Sequence, residues 1–323
     1  MKRTLYGKAI GITLSVILFL LLSAGSAFAA KEKDRTLTAG CPSRCGETVT
    51  ARYGKNGIIL SLPGFWDLSA VTLELEGSGK LYLGGKEIRP GEPANLTGLA
   101  GEKTALLDEE KQRVGNLTIL QGSEIPALFI RVDGEKLKAV NRSKENVITE
   151  GRAVWTEGSG SVSYDGGLEQ FKGRGNNTFR YSKKPYQIKL SEKASLGGMG
   201  KGKTWVLLAN WTDISLLRNQ IVLDMSRAAG LRYAVSCVQA DVWINGNYQG
   251  LYLVTEKIQV GKERIPVSNL EKETEKVNEA PFRPGKITKG KTDTLPLLRS
   301  YPAVKDPEDI TGGYIFTVEK YSR

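Results

Sequence analysis

FKGRGNNTFRYSKKPYQIKL, residues 171–190, sets a glycine-rich basic turn against an alternating strand. In PYQIKL a period of two puts Tyr186, Ile188 and Leu190 on one face and Gln187 with Lys189 on the other. Gly173 and Gly175 let the backbone approach an oligoanion, whose charge free N–H groups can cradle. A lysine on the next strand adds a point charge to the same anion. From Phe171 to Trp205 there are nine Lys or Arg and one acid, Glu192. Composition alone leaves three readings open. One is a phosphate cradle. Another is a nucleic-acid patch in which Arg174, Phe179, Arg180 and Tyr181 mix charge with stacking rings. The third is a solvated basic loop.

Around this stretch, from Ile125 onward, the pattern reads as α/β. ALFIRV and VSYDGGLEQFKGRG are strands, the second with a turn at Asp165-Gly166-Gly167, and WVLLAN is a continuous apolar strand. Asp213 caps a helix from about Ile214 to Ala229, with Leu217, Ile221, Met225 and Ala228 inward and Gly230 closing it. VQADVWING-NYQGLYLVTEKI reads as two strands joined at Asn245-Gly246, a strong hairpin signal. Residues 271–310 are charged and proline-bearing, the composition of a surface insertion.

Upstream, residues 46–122 read as short strands with turn signals at the spacing of an all-β sandwich. Val71, Leu73 and Leu75 alternate there with Thr72, Glu74 and Glu76, so one face is buried and one wet. Residues 1–29 are of another kind. Lys2, Arg3 and Lys8 precede an uncharged run, and Ala27-Phe28-Ala29 gives a small-x-small cleavage pattern before Ala30, an export signal. Leu37-Thr38-Ala39-Gly40-Cys41 spells a lipobox, but the charged Lys31–Arg35 run separates it from the apolar segment. In the 30–45 linker, Cys41 and Cys45 are expected to close a small disulfide after export, while Cys237 is expected to be a buried, inert thiol.

The chain carries 46 Lys+Arg against 35 Asp+Glu, a net charge of +11, of which +8 remains from Ala30 onward. Such a balance suits anionic partners. Histidine is absent, which removes the usual general base, His-containing triads and common zinc sites.

Three separated segments then match in series. FKGRGNNTFRYSKKPYQIKL, GMGKGKTWVLLANWTDISLLRNQIVLDM (198–225) and ADVWINGNYQGLYLVTEKIQVGKERI (240–265) resemble the CotH kinase family, named for spore-coat protein H. The resemblance runs from about Ile125 to the C-terminus and includes GGYIF at 312–316. It implies an α+β architecture, a β-sandwich module followed by the N-terminal part of an atypical kinase-like domain (125–323). It also implies ATP and Mg2+ as cofactors and phosphorylation of Ser or Thr in an extracellular or spore-coat protein. The family's RGN-S/T element falls on Arg174, Gly175, Asn176 and Thr178, and its KK-x-Y-x-I-K element on Lys183, Lys184, Tyr186, Ile188 and Lys189. Arg174, Gly175, Lys184, Lys189, Arg218 and Glu256 are the expected nucleotide-binding residues, with Lys189 on the phosphates. Arg218 has a structural alternative, pairing with Asp224 or Glu256, and Glu256 either orients Lys189 or caps a turn.

The chain also departs from the family. Its metal-holding carboxylates lie beyond the GGY segment, whereas this sequence ends at Arg323 and has Thr317-Val318-Glu319-Lys320 where relatives carry an Asp. No catalytic or metal-ligating residue is therefore assigned. The domain is expected to be incomplete at its C-terminus or inactive. A non-catalytic surface, coat or adhesion protein is the alternative; nucleic acid is not expected as a partner, and the membrane enters only through export. Mass spectrometry of the exported protein is expected to find its N-terminus at or near Ala30; an intact Met1 would show that the leader is not processed.

Overall fold

The computed structural model describes residues 35–42, 45–231, 233–262, 264–278 and 306–311. The expected leader, GGYIF and most of the expected surface insertion lie outside them. The first ten strands are β1 (Leu37–Gly40), β2 (Thr48–Thr50), β3 (Arg52–Gly54), β4 (Gly57–Leu62), β5 (Val71–Leu75), β6 (Leu81–Leu83), β7 (Lys86–Ile88), β8 (Pro93–Ala94), β9 (Lys103–Leu107) and β10 (Arg113–Gln121). They form two layers, ordered β8-β5-β1-β2 and β3-β4-β10-β9-β6-β7. Alternation drives this packing: Val71, Leu73 and Leu75 are buried while Thr72 and Glu74 between them are not. Cys41 is buried in this region, and Cys45 lies beside Trp66 and Glu47, where burial pushes its thiol up. The expected Cys41–Cys45 disulfide is not formed in this structure.

The remaining elements are β11 (Ala127–Arg131), α1 (Gly134–Arg142), β12 (Val147–Ile148), β13 (Arg152–Thr156), β14 (Val162–Gly173), β15 (Tyr186–Ser195), β16 (Lys201–Leu208), α2 (Arg218–Ala228), β17 (Cys237–Ile244), β18 (Asn247–Glu256) and α3 (Leu270–Asn278). Seven of these strands run β16-β15-β14-β13-β11-β17-β18, and β16 also pairs with β18. The sheet therefore closes on itself. Only the β11–β17 contact in this ring is parallel. Trp155, Trp205, Phe171, Ile188 and Leu207 fill the interior.

This architecture overturns the expected α+β kinase-like class. The structure is 43% strand and 14% helix, with a seven-stranded barrel and a second sheet. The cause is closure: β16 satisfies both of its edges with strands, so no helix is needed to cover an open one. The Asp165-Gly166-Gly167 turn is also corrected, since these residues run through β14 paired with β13. Asn245 and Gly246, by contrast, do form the β17–β18 turn, with φ of 49° and 77°. A Cβ at Gly246 would come within 2.6 Å of the Thr50 hydroxyl, so the turn also fits closely against β2.

The barrel's outer wall and the sandwich share one core. Ala127, Phe129, Val154 and Trp243 point away from the interior and join the cluster containing Leu37, Leu60 and Leu73. Trp243 stacks on Phe129 at 5.1 Å and meets Tyr248 at 4.9 Å. Beside this seam the buried Glu47 takes Arg131 at 2.7 Å and Arg152 at 2.6 Å. Tyr248 donates to Asp241 Oδ1 at 2.5 Å, and Lys183 donates to the Leu251 carbonyl while lying 4.4 Å from the centre of the Tyr252 ring. Burial pushes Asp241 up and Lys183 down to about 8, with each opposing the other's shift through its charge.

Two outcomes follow from the seam. Trp243→Ala should cost about 3–5 kcal/mol, as large-to-small changes in packed cores do. Urea unfolding followed by circular dichroism should show the loss in a single transition, because the tryptophan belongs to a core common to both parts. For Lys183 the folded state releases its proton near pH 8, whereas the unfolded side chain keeps it to about 10.4. Between those values the unfolded chain binds more protons, so this group adds stability as pH rises. The difference in urea midpoint between wild type and Lys183→Met should therefore move in favour of wild type from pH 7.5 to pH 9.5.

Candidate functional site

β14 ends at Gly173 and the chain turns through Arg174–Tyr181 before entering β15. The two glycines make room for the turn's own side chains. A Cβ at Gly173 would fall 2.2 Å from the Phe179 ring, and one at Gly175, where φ is +83°, 2.3 Å from the Thr178 hydroxyl. Lys184 fixes the turn from below: it donates to the Phe179 carbonyl at 2.8 Å and lies 4.9 Å from the Phe179 ring centre. Arg174 is the turn's one side chain common to two adjoining cavities.

The larger cavity, about 490 Å³, lies between the outer face of β15, β16 and β18 and one side of α2. Gln187, Val206, Leu208 and Thr255 contribute from the strands, Asn219, Val222 and Leu223 from the helix, and Glu256, Lys257 and Ile258 from the end of β18. The smaller, about 240 Å³, reaches from Arg174 and Thr178 to Asn210, Asp213 and Arg218. Its wall bends through Asn210 and Leu216, both at positive φ (49° and 59°), an uncommon conformation for a leucine. The Asn210 side chain closes the bend, donating to the Leu216 carbonyl at 3.1 Å and accepting from the Asn219 amide at 2.8 Å.

Arg174 is half-buried, and among the described residues its guanidinium has no ion pair or side-chain hydrogen bond. Burial alone pushes it below the usual arginine range. The neighbouring cations differ. Lys189 and Lys203 both hold Glu169, at 2.6 and 2.8 Å, and these contacts pull that carboxyl down to about 2. Glu256 is taken by Arg264 at 2.8 Å, and Arg264 lies over the Trp205 ring. Arg218 is largely exposed and lies 3.6 Å from Asp213, so its partner is neither Asp224 nor Glu256.

Of the expected nucleotide-binding residues, Arg174 and Glu256 share the larger cavity, and Arg174 and Arg218 the smaller, with Gly175 beside them. Lys184 and Lys189 line neither. Lys189 points outward from β15 on the same face as Gln187, which does line the larger cavity. Helix α2 starts at Arg218, later than expected, because Asp213 accepts from Ser215 and from the Arg218 N–H across a preceding turn. The Ser215 hydroxyl, with these N–H groups, holds the Asp213 carboxyl below its usual range. The inward face assigned to this helix is also corrected: Leu217, Ile221, Met225 and Ala228 are exposed, the helix buries none of its residues, and its cavity-lining residues are Asn219, Val222 and Leu223. Glu169, Asn210 and Thr255 were not picked out from sequence. Only Glu169 carried a signal, as an acid three positions before Lys172, where a run of cations begins.

Among the described residues no group of three or more His, Cys, Asp or Glu could hold a metal ion, and no helix is long and apolar enough to cross a membrane. No curated protein matches the chain. The family model described as CotH kinase protein matches residues 171–295. That span begins at Phe171 rather than near Ile125, and holds the Arg174 turn, β15, β16, α2 and the β17–β18 hairpin. The segment that builds both cavities is thus similar to the CotH kinase proteins.

Proposed function

We propose that this protein is an exported, CotH-like ATP-binding protein whose phosphate site centres on Arg174, serving transfer to Ser or Thr of an extracellular or coat protein. The observation that carries this reading is a half-buried arginine without an acid partner among the described residues, at the junction of two cavities inside the family-matching segment. Burying an unpaired cation is costly, and an arriving anion relieves that cost. A guanidinium also suits phosphate through paired N–H donors.

The larger cavity fits a nucleotide in size, and Val206, Leu208, Val222 and Ile258 give it the apolar walls that a flat base requires. ATP, when bound, would supply the phosphoryl group for transfer. Arg174 would take phosphate oxygens, and Asn219 and Gln187 would offer amides to the remaining polar atoms. Arg218, exposed at the mouth of the smaller cavity, adds positive charge there. Lys189 would serve by exchanging Glu169 for phosphate, which leaves Glu169 still held by Lys203. Among the described residues no group of three or more acids gathers to hold a metal ion, and no step is routed through magnesium.

Losing one charge-assisted contact costs about 1.5–3 kcal/mol, roughly ten- to a hundredfold in affinity. Calorimetric titration with magnesium-ATP is expected to show that loss for Arg174→Ala. Lys189→Ala should lose less, because its amine gives up an existing partner, and the exposed Lys201→Ala should bind as wild type does. Equal binding by wild type and Arg174→Ala would overturn the site.

A further inference from the structure

The turn that carries Arg174 has a second side. Asn176, Asn177, Phe179 and Arg180 border a separate hollow of about 340 Å³. Its opposite wall is the end of α1 and the loop after it: Arg142, Ser143, Lys144 and Glu145. Lys144 donates to Asn176 Oδ1 at 3.0 Å, tying the two walls together through a neutral partner.

Three cations therefore face one carboxylate. Among the described residues Arg142, Lys144 and Arg180 make no ion pair, and Glu135, at the other end of α1, is taken by Lys138. Lys184, beneath the Phe179 ring, adds a fourth positive charge close to the same wall. Nothing in the nucleotide reading uses this hollow, yet a single turn separates it from the Arg174 cleft.

We propose that the hollow docks an acidic segment of the protein acceptor. Arg142, Lys144 and Arg180 would meet its carboxylates, the Asn177 amide would pair with its backbone, and Phe179 would give it an apolar surface. An extended peptide anchored there crosses the turn toward the cleft within a few residues, at about 3.3 Å per residue. This assigns a substrate class, acidic stretches flanking a Ser or Thr, and it rests on the kinase reading above. Because the contacts are exposed charges, they confer specificity and encounter rate and weaken with salt.

The test is fluorescence anisotropy on the full chain, with a labelled peptide of about ten residues carrying one Ser and five Glu, against the same peptide with Lys in place of Glu. The acidic peptide is expected to bind wild type at low salt and at least tenfold more weakly to the double variant Arg142→Glu/Arg180→Glu. Magnesium-ATP affinity, measured by calorimetry, should be the same in both. Arg142→Gln/Arg180→Gln should give a smaller loss in the same direction. Equal binding of the acidic and lysine peptides would overturn the proposal, as would an unchanged affinity in the double reversal. Preference for a polyphosphate of matched charge would overturn it in favour of a wall-polymer site. If the peptide result holds while magnesium-ATP fails to bind wild type, the docking surface stands and the nucleotide reading falls.

Discussion

The pairing of β16 with both β15 and β18 is the constraint on which the site depends. Trp205 stands opposite Ile188 on one side and Glu256 on the other, so one residue marks the closure of the ring. Closure fixes which side chains point in and which point out. Trp205 and Leu207 go to the core, and Val206 and Leu208 go to the outer face that floors the larger cavity. It also brings Thr255 beside Val206, although they are 49 positions apart in the chain. Without that contact, β15 and β18 would share no common floor.

The sandwich decides which part of the barrel's outside remains available. It covers β11, β13 and β17 through Ala127, Phe129, Val154 and Trp243, and Glu47 pins the same side through Arg131 and Arg152. Across the cavity, the face of β15, β16 and β18 meets α2, and α2 buries none of its residues. A helix lying this lightly on a sheet leaves space beneath it. The cavity is that space, and its charge is set by the turn at its edge.

Legibility in the sequence followed the range of the interaction. The Asn245-Gly246 turn and the alternation of Val71, Leu73 and Leu75 are local, and both were readable. The outward direction of Gln187 and Lys189 was readable for the same reason. Ring closure was not, because it pairs residues whose meeting depends on the twist of every strand between them. Asp165-Gly166-Gly167 has turn composition, yet β13 pairs along all three residues and outweighs that local preference. The α2 face failed because helical periodicity alone does not say which side meets a neighbour. Gly173 and Gly175 were read as openings for an oligoanion, whereas the groups that approach them are Phe179 and Thr178 of the same turn.

The cations around the turn then separate by what already occupies them. Lys183 rests on a carbonyl and a ring, Lys184 on another carbonyl and ring, and Lys189 with Lys203 on Glu169. These contacts hold the loop that connects β14 to β15, and of these lysines Lys189 and Lys203 are the two whose charge meets a carboxylate. Arg174 emerges from the same loop, is desolvated by the fold, and is given no counter-charge among the described residues. A chain selected only for stability has no reason to hold a guanidinium this way, since an apolar side chain would fill the position at lower cost. The lysines therefore build the turn, and the turn presents Arg174 to the cavities.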